Sequence, residues 1–257
     1  MAVCEEINDQ MSTERENEIL KILYDRRRIT VKELSECLYA SETSIRRDLA
    51  RLEKQHMLKR IHGGARLEAN AVSAFKIPYM IRSLENVSEK QSIAEKAAAL
   101  VREANVVFLD ASTSALALLP FLARKKDITV ITDGVRILSE AINYPELRII
   151  STGGALNRST LSLFGDETFT SIRNYHANFC FFSCEGVHQN GAITDFNEEE
   201  NLVRRAMMRR SNKSYLLCTS KKIGIMQSHH LCDIDEVEGI LSADEPPEWF
   251  PKGSRKA

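Results

Sequence analysis

Ser41-Glu-Thr-Ser-Ile-Arg-Arg-Asp-Leu-Ala-Arg-Leu-Glu-Lys-Gln-His-Met-Leu-Lys-Arg-Ile-His-Gly-Gly-Ala65 decides how the first part of this chain folds. Ile45, Leu49 and Leu52 recur at helical spacing and form one apolar stripe. At about 100° per residue, Thr43, Arg47, Ala50, Arg51 and Lys54 point the other way, with Arg46 on the flank. Ser41 suits an N-cap, and Glu42 suits the positive end of the helix dipole. A helix with a buried seam and a short, hydroxyl- and arginine-bearing outer face fits a DNA major groove.

The preceding residues complete a unit around that helix. Thr13-Glu-Arg-Glu16 and Thr30-Val-Lys-Glu33 both read as capping boxes, which starts helices near Glu14 and Val31. Ile19, Leu20, Ile22 and Leu23 supply the core face of one, and Val31, Leu34 and Leu38 that of the other. Only Tyr39-Ala40-Ser41 separate the second helix from the third, the short turn of a helix-turn-helix. Met57-Leu-Lys-Arg-Ile61 has strand character and runs into Gly63-Gly64, a hairpin signal. Three helices and a hairpin in this order predict a winged helix-turn-helix.

This stretch resembles the signature of the DeoR family of bacterial transcriptional regulators. That signature reads Ser-Glu-x-Thr-Ile-Arg-Arg-Asp-Leu, then Leu, then Arg-x-His-Gly-Gly-Ala. Here it is Ser41-Glu42-Thr43-Ser44-Ile45-Arg46-Arg47-Asp48-Leu49, then Leu52, then Arg60-Ile61-His62-Gly63-Gly64-Ala65. Ser44 stands where the family usually has threonine and keeps the hydroxyl. The expected DNA-contacting set is Ser41, Thr43, Ser44, Arg46, Arg47, Arg51, Arg60 and His62. The helix residues would reach base edges or phosphates, and Arg60 and His62 would add backbone contacts from the wing.

Composition bounds the remainder. The chain has 257 residues and a net charge of −1, so bulk charge gives no sign of nucleic acid. Its distribution does. Residues 41–66 hold seven basic and three acidic side chains, a surplus of four (seven minus three), with Arg26-Arg-Arg28 close by as a possible phosphate clamp. No run of about 18 apolar residues occurs, and the first residues lack the pattern of a signal peptide. A cytoplasmic protein with no membrane partner is expected. The six cysteines, at 4, 37, 180, 184, 218 and 232, do not read as a disulfide framework. Cys180-x-x-x-Cys184 and His229-His230-x-Cys232 lack the partnering pair that zinc requires, so no metal and no cofactor is expected.

Residues 67–87 carry no clear period, include Pro78, and read as a connecting segment between residues 1–66 and a second domain at 88–257. Ser88-Glu-Lys-Gln91 reads as another capping box, and Ile93, Ala97 and Val101 give its helix an apolar face. Short apolar strands then alternate with helix-length stretches at 114–124, 135–143, 165–174 and 198–211. The strands are Val106–Leu109, Ile128–Ile131, Leu147–Ile150, Phe179–Phe182, Tyr215–Cys218 and Val237–Leu241. Such alternation predicts a Rossmann-like α/β domain with a mostly parallel sheet, whose ligands bind beyond the strands' carboxyl ends. Polar and small residues collect at those ends: Asp110-Ala-Ser-Thr-Ser114, Thr132-Asp-Gly134, Ser151-Thr-Gly-Gly154, Glu185-Gly186 with Gly191, and Thr219-Ser-Lys-Lys222.

The resemblance extends over this half. Sensor domains of the DeoR family resemble ribose-5-phosphate isomerase in fold and bind phosphorylated sugars or related metabolites. Their Leu-Asp-x-Gly-Thr-Thr corresponds to Leu109-Asp110-Ala111-Ser112-Thr113-Ser114, their Thr-Asn to Thr132-Asp133, and their Gly-Gly to Gly153-Gly154. Their Lys-Arg-Ala-Met corresponds to Arg204-Arg205-Ala206-Met207, and their Asp-Ser-Ser-Lys-Phe-Gly to Thr219-Ser220-Lys221-Lys222-Ile223-Gly224. The departures gather at the pocket: Ser112 replaces a glycine, Asp133 an amide and Thr219 a carboxylate. The resemblance implies effector contacts from Asp110, Ser112, Thr113, Ser114, Thr132, Asp133, Gly153, Gly154 and Lys222. Lys222 would be the main cationic partner of an anionic ligand, with Lys221 pointing away.

The expected function is a sequence-specific DNA-binding repressor of carbohydrate-metabolism genes, acting as a homo-oligomer on a double-stranded operator and sensing a sugar phosphate or similar small molecule. No catalytic residue is expected. Two alternatives stand beside it: a sugar-phosphate isomerase using Asp110 and Lys222 as acid and base, and a DNA-binding regulator whose sensor no longer responds to ligand.

Overall fold

The computed structural model describes residues 15–23, 26–54, 57–67 and 79–244. The first residues of the Thr13–Glu16 box, and most of the stretch read as connecting, lie outside them. The chain divides into two compact units, at residue 84.

In the first unit, α1 (residues 15–23), α2 (Val31–Cys37) and α3 (Glu42–Lys54) pack around a common core with a three-stranded sheet. The sheet pairs β1 (Arg28–Thr30), β2 (Lys59–Ile61) and β3 (Gly64–Arg66) antiparallel in the order β1-β3-β2. Thr30 caps α2 as a full capping box with Glu33. Ile19, Leu20 and Leu23 of α1, Val31 and Leu34 of α2, and Ile45, Leu49 and Leu52 of α3 meet Ile29, Leu58 and Ala65 in one core. The unit extends beyond the wing. A short helix α4 (Tyr79–Leu84) lies in what reads as connecting sequence, and its Ile81 is buried in this same core. Six residues are too few to display a helical period, which is why α4 does not register in the sequence.

The second unit carries a six-stranded parallel sheet. Its strands are β4 (Val106–Leu109), β5 (Thr129–Thr132), β6 (Arg148–Ser151), β9 (Ala177–Phe182), β12 (Ser211–Leu217) and β14 (Gly239–Leu241). Their order is β14-β12-β9-β4-β5-β6. The chain winds outward from β4 through β5 to β6, then returns to β9 and winds the other way. That is the doubly wound arrangement, with its topological switch point between β4 and β9. Successive residues point to opposite faces. Val107, Leu109, Val130, Phe181, Tyr215 and Leu217 pack with α5 (Val87–Leu100), α6 (Thr113–Leu116), α7 (Leu119–Leu122) and α8 (Val135–Glu140). Phe108, Ile131, Cys180, Phe182 and Leu216 pack on the other side with α9 (Asp166–Arg173) and α10 (Glu198–Arg209).

Several details differ from the sequence reading. No side chain caps α5: it follows Asn86, which takes a left-handed conformation at φ 51, and Glu89 is engaged elsewhere. The expected helix over 114–124 is two short helices, because Pro120 in the first turn of α7 has no N–H to continue α6. A hairpin of β7 (Ala155–Asn157) and β8 (Ser162–Phe164) follows β6, and β10 (Gly186–Val187), β11 (Ala192–Asp195) and β13 (His229–Asp233) form a small antiparallel sheet.

Gly63 and Gly64 at the wing are both required, for different reasons. Gly63 sits at φ +75 with open space around it, whereas a Cβ on Gly64 would lie 2.2 Å from the carbonyl oxygen of Ile29. Gly63→Ala should therefore cost about 1 kcal/mol of backbone strain. Gly64→Ala should cost more, because it must pry β3 from β1, and thermal melts of the two variants should rank them so. Equal melting temperatures would contradict the register Thr30↔Gly64.

Candidate functional site

In the first unit the outer face of α3 sorts into residues that build and residues that remain available. Ser41 Oγ accepts the Ser44 N–H at 3.2 Å and lies 2.9 Å from Ser44 Oγ, so both hydroxyls serve the helix start. Arg46 pairs with Glu42 at 2.7 Å one turn earlier. Thr43 and Arg47 are exposed, and neither has a hydrogen-bond or ion-pair partner among the described residues. Arg51 is engaged within the protein. Its guanidinium turns back to Asp48 Oδ1 at 2.5 Å and Glu16 Oε1 at 2.7 Å, because Asp48 is fully buried and needs cations. Arg15 supplies a second, at 2.5 Å from Asp48 Oδ2, and that bond raises the Arg15 pKa despite partial burial. Arg51 is thus a strut between α1 and α3. On the wing, the Arg60 N–H donates to Glu53 Oε1 at 2.8 Å, and His62 is exposed in the turn.

Sheet register adds a feature that spacing alone could not reveal. Arg28 lies opposite Arg66, and Arg66 opposite Lys59, so three exposed cations stand in a row across β1, β3 and β2. Such a row of exposed cations suits a phosphate backbone.

In the second unit the switch point is organised by Arg204 on α10, which is 5 % exposed. Its Nε donates to Asp110 Oδ2 at 2.9 Å, and its Nη1 donates to Asp195 Oδ2 at 2.8 Å and to Asn201 Oδ1 at 3.3 Å. Its Nη2 lies 3.7 Å from Glu200 Oε2. Burial alone would lower its pKa, but Asp195, Glu200 and Asp110 outweigh that and push it well up. Asp110, just past β4, accepts two further hydrogen bonds. Its Oδ2 also accepts the Ser183 N–H at 3.1 Å, and its Oδ1 accepts the Ser112 N–H at 3.2 Å. Asp110 therefore fastens β4 to the end of β9.

The other expected residues divide similarly. Ser112 has an ordinary extended backbone at φ −73, and its hydroxyl accepts the Ala115 N–H at 3.1 Å, capping α6. Thr113 and Ser114 open that helix, with Ser114 buried. Thr132 Oγ1 accepts the Gly134 N–H at 3.0 Å. Gly153 accepts from Thr168 Oγ1 at 2.6 Å, and a Cβ on Gly154 would lie 2.2 Å from that hydroxyl, so both glycines seat the hairpin on α9. Lys222 lies in a short 3-10 turn, Ser220–Lys222, and its Nζ donates to Ser183 Oγ at 3.0 Å. Lys221 is exposed and turned toward Glu85, 3.8 Å away. Glu89 of α5 clasps the same turn through Ser220 N at 3.0 Å and Ser220 Oγ at 2.6 Å.

Asp133 stands apart. The hairpin closes over its turn, through Leu163 N–H to Asp133 O at 2.8 Å and Val135 N–H to Leu161 O at 2.9 Å. Burial pushes the Asp133 carboxyl well above its ordinary range, Asp110 and Glu200 add to this, and Arg204 opposes it. Ser183, Arg204, Asp195, Glu200 and Asn197 are absent from the expected set. Arg204 is visible in the family-like pattern, but its partner Asp110 is 94 residues away and only the fold joins them. Among the described residues, no group of three or more potential ligands is arranged to hold a metal ion, and no helix is long and apolar enough to cross a membrane.

Comparison with known proteins matches both units to family models. Residues 15–70 match the DeoR-like helix-turn-helix domain, and residues 85–243 match the DeoR C-terminal sensor domain. The chain is 35 % identical over 229 residues to the HTH-type transcriptional regulator YulB of Bacillus subtilis, covering 89 % of this chain and 88 % of that one. It is 34 % identical to the HTH-type transcriptional regulator GolR of Listeria innocua, covering 89 % of each. It is 26 % identical to the glycerol-3-phosphate regulon repressor of Escherichia coli, covering 91 % of this chain and 92 % of that one.

The buried charge cluster makes a direct prediction. Arg204→Met should leave Asp110, Asp195 and Glu200 buried without their cation, costing about 3–5 kcal/mol in urea denaturation of the second unit. A loss below about 1 kcal/mol would mean that the cluster is solvated like a surface network.

Proposed function

The chain belongs to the DeoR family of DNA-binding transcriptional regulators, and on that premise we propose that it represses carbohydrate-metabolism genes under the control of a sugar phosphate or related metabolite. It acts in the cytoplasm as a homo-oligomer, since one recognition helix reads few bases and paired helices read repeated half-sites. The observation that carries the DNA-reading part is the free outer edge of α3. Thr43 and Arg47 are exposed and uncommitted while Asp48, Leu49 and Leu52 beneath them are buried. Arg47 reads a base edge, and the row Arg28, Arg66 and Lys59 grips phosphates beside it. Ser41, Ser44 and Arg51 hold the helix in register for that contact.

The second unit serves as sensor rather than enzyme. Asp110, the acid that an isomerase reading needs, has its carboxylate occupied by Arg204, Ser183 and Ser112. Lys222 is the cation that meets the effector's oxygen atoms. Its turn is clasped by Glu89 on α5, the first helix of the sensor, which gives a ligand at Lys222 a direct hold on the segment leading from the DNA-reading unit.

Gel-shift titrations on DNA selected from a random pool by the full-length protein test this reading. Arg47→Ala should lose about 1–3 kcal/mol of specific affinity with no loss of stability. Leu49→Ala should lose binding through unfolding, at about 2–5 kcal/mol. Lys222→Ala should keep operator affinity but lose the response to effector, and Lys221→Ala should retain both. Wild-type affinity in Arg47→Ala, or an intact response in Lys222→Ala, would contradict the assignment of that residue.

A further inference from the structure

Four carboxyl groups meet at the switch point, and one guanidinium answers them. Arg204 is fully committed to Asp110, Asp195 and Glu200. Asp133 is the surplus acid. It is 3 % exposed, and its Oδ1 has no hydrogen-bond partner among the described residues. A second unpartnered buried atom belongs to a residue that contacts Asp195 of the same cluster. Asn197, 8 % exposed, has no partner for its Nδ2. Its Oδ1 accepts the Glu199 N–H at 3.1 Å, which fixes the end of the amide that carries hydrogens. Its own N–H donates to Asp195 Oδ1 at 3.2 Å, so it borders one of the carboxylates that hold Arg204.

Buried polar atoms in folded proteins are almost always satisfied, and an orphaned pair points to a missing partner. Here the pair is one acceptor and one donor. A hydroxyl group donates and accepts together, so a hydroxyl-bearing carbon chain satisfies both. A phosphate dianion has no hydrogen for Asp133 and would enter a crevice where acids already outnumber cations. Lys222 is the one further cation whose Nζ reaches the switch point among the described residues, and its contact there is the neutral Ser183 hydroxyl. An amide at position 133 could donate to a phosphate oxygen, whereas an ionised carboxylate cannot.

We propose that Asp133 and Asn197 form the selective end of the effector site, that they take the hydroxyls of an unphosphorylated sugar or sugar alcohol, and that Asp133 turns phosphate esters away. This rests on the reading of the second unit as a carbohydrate sensor and narrows its ligand. Burial raises the Asp133 pKa, so the rejection of esters should fade as pH falls and the carboxyl takes up its proton.

Calorimetric titration of the full-length protein at neutral pH, with hexoses, pentoses, hexitols and pentitols and with the phosphomonoester of each, tests the proposal. Wild type should bind at least one unphosphorylated probe roughly tenfold or more tightly than its ester. Asp133→Asn should raise affinity for esters by roughly tenfold or more. Asn197→Asp, which keeps the cap of α10 but lacks the amide donor, should weaken the unphosphorylated probe by a similar factor. Tighter binding of esters by wild type, or an Asp133→Asn variant that leaves the preference unchanged, overturns the inference while the sensor reading stands. No heat from any probe with either protein removes the sensor reading itself, and the inference with it.

Discussion

The second unit depends on one buried ion pair, Arg204 on α10 with Asp110 at the end of β4. The two halves of a doubly wound sheet diverge at the switch point, and the crevice between them must be bridged. Asp110 reaches across to the Ser183 N–H at the end of β9 while Arg204 reaches on to Asp195 of β11. A salt bridge so deep is poor evidence of net stability, because stripping water from both ions offsets much of their attraction. Its consequence is geometric. It sets where Ser112, Ser183 and Lys222 stand, and it leaves Asp133 as an acid with no paired cation among the described residues.

The first unit uses the same device on a smaller scale. Asp48 is buried on the inner side of α3 and collects Arg15 from α1 and Arg51 from its own helix. The apolar seam of Ile45, Leu49 and Leu52 fixes which face of α3 is inward, and the ion pairs fix its rotation against α1. Charged residues on a helix can therefore belong to its foundation. On α3, Arg46 and Arg51 have partners within the protein, and Arg47 is exposed with none among the described residues.

Much of this architecture was legible from local pattern. The α3 stripe, the Thr30–Glu33 box and the Gly63-Gly64 hairpin are encoded in adjacent residues, and β4 occupies the four residues that its apolar run predicts. The unforeseen elements are those whose partners are distant or whose residues are polar. The strand β13 contains His229 and His230, which read more readily as metal-type spacing than as an edge of a sheet. The β7–β8 hairpin is joined by Arg158-Ser159-Thr160-Leu161, which looks like an ordinary loop. At the candidate site, residue types at strand ends pointed to the switch-point crevice, while the hydrogen bonds that tie them into it were not legible. Ser112, Thr132, Gly153 and Gly154 are bound into caps, turns and close packing, and Arg204 declares its importance only once the fold brings it to Asp110.

The central claim is that a single buried guanidinium pairs with three of the four acids in this crevice, and that Asp133 is the one left without it. A carbon-detected NMR titration of the Asp133 carboxyl, assigned by comparison with Asp133→Asn, tests it most directly. The account predicts a carboxyl still protonated far above the ordinary aspartate value of 3.8, with a downward shift when a hydroxyl-donating ligand stabilises the ionised form. An Asp133 that titrates at the ordinary value would mean that the crevice is wet or otherwise neutralised, and the account would fail.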